Sequence, residues 1–192
     1  VRTHAIPQAP MYIAGPKPRK AAAPKRVHER IGKRKEEMCI AQMSITRFSK
    51  RTAQYIVDMM KYRNVPIICV QETHLWGNYH FLATKKLERK SINVFSIPAI
   101  NVHCEEAPQH NSGGLMIMTR RDVQVERVMN REIDDFAQAI IIRMRGQNLA
   151  IVNLYLLSNR PDIALRTQHR VREYVGGLQI PHIVMGDYNR TH

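Results

Sequence analysis

The 192-residue sequence is short of acid, of cysteine and of long apolar runs. It has 16 Asp and Glu against 30 Lys and Arg, a formal net charge of +14. That imbalance argues against a cationic partner and favours a polyanion, DNA or RNA. Cysteine occurs three times, as Cys39, Cys69 and Cys104, at spacings that fit no zinc pattern. An odd count points to a reducing, intracellular compartment, with mitochondrion and nucleus both open. Cys39 and Cys69 fall in apolar strands and read as small core residues. No apolar run approaches the roughly 20 residues that cross a bilayer, and no basic amphipathic helix with aromatic anchors is legible, so no membrane partner is expected. Aromatics make up only 6% of the chain, and its one tryptophan, Trp76, reads as a packing anchor.

Acid is absent altogether before Glu29, and residues 1–37 hold ten Lys or Arg. Pro7, Pro10, Pro16, Pro18 and Pro24 interrupt any regular element there. The stretch reads as an extended basic arm, with Lys17, Arg19, Lys20, Lys25, Arg26, Lys33, Arg34 and Lys35 as candidate nucleic-acid contacts. Low acidity with Arg and Ala also fits a transit-type segment. The first residue is Val1, which points to a processed product or part of a longer protein.

From residue 38 the pattern changes to alternating strands and helices, an α/β domain over 38–192. Strands are expected at 38–45, 67–71, 115–119, 123–128, 139–144, 149–156 and 182–189, the last of them buried. Ala53, Ile56, Val57 and Met60 mark one face of a helix over 49–64, with Ser49 as its cap. "RGQN" at 145–148 suits a hairpin turn. Pro161 opens a helix carrying Ile163, Leu165, Val171, Val175 and Leu178 as apolar positions. The 10 methionines suit the filling of core gaps.

Two apolar strands end in acid-bearing segments, "VQETH" at 70–74 and "MGDYN" at 185–189, and a third ends in "NLYLLSN". Strand ends at one edge of a sheet are where α/β proteins place their sites. If the strands are neighbours, Glu72 and Asp187 converge and can hold a hard cation such as Mg²⁺, which takes few protein ligands and keeps several waters. Such a cation polarises a phosphodiester oxygen. Each residue also has a plainer reading. Glu72 suits a solvated turn, Asp187 and Asn189 suit turn caps, Tyr155 suits a half-buried sheet position, and His74 suits a loop near the site.

"QETHL", "SGGLMIM", "VNLYLLSN" and "VMGDYN", in this order, resemble the endonuclease/exonuclease/phosphatase superfamily, and within it the apurinic-endonuclease-like domains of LINE-type retrotransposons. The resemblance covers roughly residues 38–192. It implies a four-layer α/β sandwich with two packed mixed sheets flanked by helices, and Mg²⁺-dependent cleavage of nucleic acid. By the same resemblance Glu72 is the metal ligand, Asp187 orients or deprotonates the attacking water, Asn189 assists it, and Tyr155 stands beside the phosphate. Gly113 and Gly114 form the turn into the next strand. The sequence departs from the pattern at Met43 and Ser44, where the family has tryptophan and asparagine, and at Leu157, where proline is common. The family's serine-aspartate-histidine segment falls beyond His192, so a partial sandwich is expected, with a partner or further chain covering an exposed sheet.

The expected function is therefore a nucleic-acid-binding protein whose incomplete, non-catalytic nuclease-like domain serves a larger nucleoprotein assembly such as a ribosome, with no cofactor. The alternative is an active Mg²⁺-dependent endonuclease of LINE type whose missing residues come from a longer or second chain.

Overall fold

The first strand of the domain carries its side chains alternately toward a helix layer and toward a second sheet, and the other strands of the two large sheets repeat that division. The computed structural model describes residues 38–101 and 111–189. In chain order the elements are β1 (Ile40–Ser44), α1 (Lys50–Tyr62), β2 (Ile67–Gln71), α2 (Gly77–Glu88), β3 (Ile92–Ile97), β4 (Ile100–Asn101), β5 (Asn111–Ser112), β6 (Leu115–Arg120), β7 (Gln124–Asp134), β8 (Ala137–Met144), β9 (Gln147–Tyr155), α3 (Pro161–Gly176) and β10 (His182–Asp187).

One sheet has the order β1-β2-β6-β3 and the other β10-β9-β8-β7; β4 and β5 form a separate short pair. Each large sheet joins one parallel pair to two antiparallel ones, so both are mixed. The sheets pack face to face through Ile67, Cys69 and Ile117 from one and Ile140, Ile142 and Ile151 from the other. Burial pushes the Cys69 thiol up to about 12, so it is an inert apolar filler between the sheets.

The alternate residues face the helices. Ile68 and Val70 of β2, with Met116 and Met118 of β6, meet Ala53, Ile56, Val57 and Met60 of α1 and Leu87 of α2. Val152 and Leu154 of β9, with Ala137 and Ala139 of β8, meet Val171 of α3. The result is a four-layer α/β/β/α sandwich. β2 is buried at all five positions because it has a helix on one side and a sheet on the other, which explains its unbroken apolar run.

Local chemistry fixes several boundaries. Ser49 Oγ accepts from Thr52 N at 3.1 Å and caps α1. Arg145 and Gly146, at φ 51 and 81, make the two-residue turn between β8 and β9. Pro161 occupies the first turn of α3, where a missing N–H is harmless.

Some sequence expectations change. Cys39 precedes β1 and is exposed rather than a core residue. Trp76 is not a packing anchor: it is exposed, at the start of α2. Leu165 faces solvent on α3. The last strand is not fully buried, because β10 is the edge of its sheet and only Gly186 within it is enclosed. The basic arm and Cys104 lie outside the described residues.

Candidate functional site

β1 runs parallel to β2, and β9 runs parallel to β10. Their carboxyl ends meet where the two sheets face each other. Glu72 and Asp187 therefore do not lie on side-by-side strands; β2 and β10 belong to opposing sheets, and the acids approach across the sandwich. Tyr155 joins them. Its hydroxyl donates to Glu72 Oε1 at 2.9 Å, and it sits in register beside Asp187.

Glu72 reaches this place through a strained loop. Gln71 closes β2 on the inner face, and then Glu72 and His74 take left-handed backbone angles, φ 59 and 52. For side chains with a Cβ, each such residue costs about 1–2 kcal/mol. The loop is held from outside: Thr73 N donates to Gly114 O and His74 N to Gly113 O, both at 3.1 Å, while Phe48 N donates to Thr73 O at 3.1 Å. The paired glycines make this possible. Both have positive φ, and a Cβ on Gly114 would run into Thr73 Oγ1. His74 is braced against Asn111 O at 2.8 Å through Nδ1, and its Nε2 lies 3.5 Å from Glu72 Oε1.

Asp187 is fixed on both oxygens. Oδ2 accepts from Ser44 Oγ at 2.6 Å and Oδ1 from Asn189 N at 3.0 Å. Ser44 thus uses its hydroxyl on the acid, from the position where the resemblance calls for asparagine. Asn189, at φ 38, donates its side-chain amide to Leu156 O at 2.7 Å. Asp187 does close the turn that follows β10, as its plainer reading held, while also lying in the cleft with Tyr155.

Burial holds the Tyr155 phenol well above its ordinary value, helped by the hydrogen bond to Glu72 and by the charges of Glu72 and Asp187; the nearby Asn189 amide pulls the other way. Near neutrality Tyr155 is an uncharged O–H donor.

A buried amide pair supports the site from behind. Asn153 of β9 crosses the sandwich and donates to Val70 O at 3.1 Å and Met116 O at 3.2 Å, while Gln71 Nε2 donates to Asn153 Oδ1. Gln42 of β1 donates to Gly186 O at 2.7 Å, tying the two edge strands together one residue before Asp187. The sequence signal for these residues is a polar side chain on the inward parity of an apolar strand.

Among the described residues no three His, Cys, Asp or Glu side chains cluster as a metal cage. Glu72 and Asp187 bring hard carboxylates to the cleft, and each already accepts hydrogen bonds from the protein. That donor set fits a weakly held Mg²⁺ that keeps most of its waters, and does not fit zinc or calcium.

The fold recurs in solved structures. The endonuclease domain of TRAS1, a telomere-specific non-LTR retrotransposon, superposes with a TM-score of 0.55 at 16% identity, over 81% of this chain and 61% of that one. A Bacteroides thetaiotaomicron mannosyl-6-phosphatase gives 0.56 at 13% identity, over 81% and 67%. ANGEL2, a 2′,3′-cyclic phosphatase, gives 0.52 at 15% identity, over 72% and 44%. The chain thus spans less than two thirds of the length of ANGEL2 and of the TRAS1 domain. None of the curated proteins matches the sequence. A family model does match, over residues 45–192, and by that match the chain belongs to the endonuclease/exonuclease/phosphatase family.

Proposed function

We propose that the chain binds nucleic acid and hydrolyses a phosphodiester bond in it with Mg²⁺ as cofactor. One observation carries this reading: Glu72, Tyr155, Asp187 and Asn189 come from three separate segments and meet at one cleft through the hydrogen bonds of Tyr155 and Asp187. Three of the non-glycine residues with positive φ, Glu72, His74 and Asn189, belong to this cleft. Strain of that kind concentrates at working sites.

Glu72 is the residue that would hold the ion. Bound Mg²⁺ supplies charge against the phosphate oxygens. Asp187, oriented by Ser44 and Asn189 N–H, takes a proton from the attacking water. Tyr155, uncharged near neutrality, donates to a phosphate oxygen once substrate displaces its bond to Glu72. Asn189 holds the far side of the turn so that Asp187 keeps its aim. The cations of the arm, from Lys17 to Lys35, supply affinity that falls with salt.

A second reading has its own observation. The Ser44 hydroxyl and the Asn189 backbone N–H already donate to the two Asp187 oxygens, which leaves that acid less open to water. On this reading the chain binds RNA or DNA without cutting it, as part of a nucleoprotein assembly such as a ribosome. One experiment separates the two. Supercoiled plasmid, abasic duplex and single-stranded oligonucleotide are incubated with the full chain, with Mg²⁺ or with chelator. The first reading expects Mg²⁺-dependent nicking that falls at least about 100-fold in Asp187→Asn and Glu72→Gln. Binding without cleavage in Mg²⁺ or Mn²⁺ favours the second.

A further inference from the structure

α2 packs on β3 through a narrow face and leaves its large apolar side chains outside. Its one fully buried side chain is Leu87, and its other firm attachment is His80 Nε2 against Ser96 Oγ at 2.9 Å. Tyr79, Phe81 and Leu82 are 68%, 57% and 62% exposed, and Trp76 just before them is 52% exposed. Trp76 stands at the helix cap yet makes no capping hydrogen bond. Neither core packing nor capping accounts for it. Trp76 and Tyr79 lie together, ring centroids 6.4 Å apart and planes tilted by 57°. An exposed aromatic pair of this size marks a contact surface.

Its position and charge limit what it contacts. Trp76 follows Glu72 in the same loop, separated by no more than about 14 Å of extended chain. The helix then gathers cations: Lys85 and Lys86 lie in its last turn, and Arg89 and Lys90 follow. Glu88 is the one acid between residues 77 and 90, and it pairs with Lys85 at 2.8 Å. Lys85 lies over the Phe81 ring, 5.8 Å from its centroid, so aromatic faces and cations share one helix. Such a surface suits an unpaired nucleic-acid strand, whose bases stack while its phosphates follow the charge. A duplex has no free base face to offer, and an anionic lipid surface would have to lie beside the carboxylates of the cleft.

From this geometry we infer that Trp76 and Tyr79 form a stacking platform for unpaired bases flanking the phosphate that Tyr155 binds in the cleft, so that the substrate is single-stranded or locally opened nucleic acid. The inference rests on the proposed hydrolytic reading of that cleft and names its substrate class.

Trp76 is the only tryptophan, so its emission reports directly on stacking. The full chain is titrated with a short oligothymidylate, a duplex of equal length, an abasic strand of equal length, and phosphatidylserine vesicles. The platform requires strong quenching by oligothymidylate and little by the other three. It also requires about tenfold weaker oligothymidylate binding in Tyr79→Ala and in Trp76→Ala, the latter followed by anisotropy of a labelled strand. Both residues are exposed, and circular dichroism checks that each variant folds. Equal affinity for the abasic strand without quenching would leave charge as the whole of binding and overturn the platform. Quenching by vesicles alone would assign the surface to lipid and overturn it too. Plasmid nicking is measured in parallel. Nicking without quenching sinks the platform and leaves hydrolysis standing, whereas quenching without nicking in any metal keeps the platform and sinks hydrolysis.

Discussion

Tyr155 stands in register beside Asp187 and donates its one hydrogen bond to Glu72. Its folded-state pKa is raised above the ordinary phenol value, first by burial and then by Glu72. The sign follows: the neutral phenol is favoured in the fold, so its contribution to stability is complete below about pH 10 and is lost as pH rises beyond that. Wild type should therefore lose stability between about pH 10 and higher pH more steeply than Tyr155→Phe does, as read by urea unfolding at each pH. Parallel curves for the two proteins would show that the phenol titrates as if unfolded. The same residue illustrates what a sequence gives at this scale. "NLY" names a tyrosine at a strand end; its partner across the sandwich follows only from the strained turn at Glu72.

At the scale of elements, the attachment of α3 depends on one buried acid. Asp134 closes β7, its carboxylate is fully enclosed, and it accepts from Arg166 Nε at 3.1 Å, Thr167 Oγ1 at 3.0 Å and Phe136 N at 3.1 Å, with Arg170 at 3.4 Å. Charge-assisted bonds to a buried carboxylate are worth more than exposed ion pairs, but the two arginines are about half exposed, which reduces the sum. Asp134→Ala should cost about 2–3 kcal/mol in urea unfolding, and amide exchange should rise in α3 before it rises in α1. A loss of under ~0.5 kcal/mol, the range of ordinary surface changes, would reduce the cluster to a surface ion pair. No periodicity in the sequence announces this contact, because Arg166, Thr167 and Arg170 lie on a polar helix face and Asp134 is distant in the chain.

At the scale of the whole described domain, β1 and β10, the edge strands of the two sheets, stack on each other. Among the described residues β10 pairs only with β9, and Ile183, on the inner parity, is 38% exposed. An unpaired edge with apolar side chains invites strand addition, from a partner chain or a second copy. The purified chain should self-associate as its concentration rises, and Ile183→Lys should suppress this without lowering the unfolding midpoint, as read by sedimentation velocity and urea titration. A monodisperse wild-type monomer at high concentration would remove the expectation of a covering partner.

The sequence by itself determined what depends on neighbours along the chain. Ala53, Ile56, Val57 and Met60 set the buried face of α1, Ser49 sets its start, and Arg145–Gly146 sets a hairpin turn, because a helical period and a positive φ are local demands. The motif order also fixed the α/β sandwich. Only the tertiary structure decided that Glu72 and Asp187 meet across two sheets, that Ser44 is spent on Asp187, and that Asn153 joins strands of the opposite sheet. It also turned Trp76 outward and gave α2 its place, although that helix has no apolar stripe to read. These are contacts between residues far apart in sequence, and they exist only once the parity of each strand is fixed by the packing of one sheet on the other.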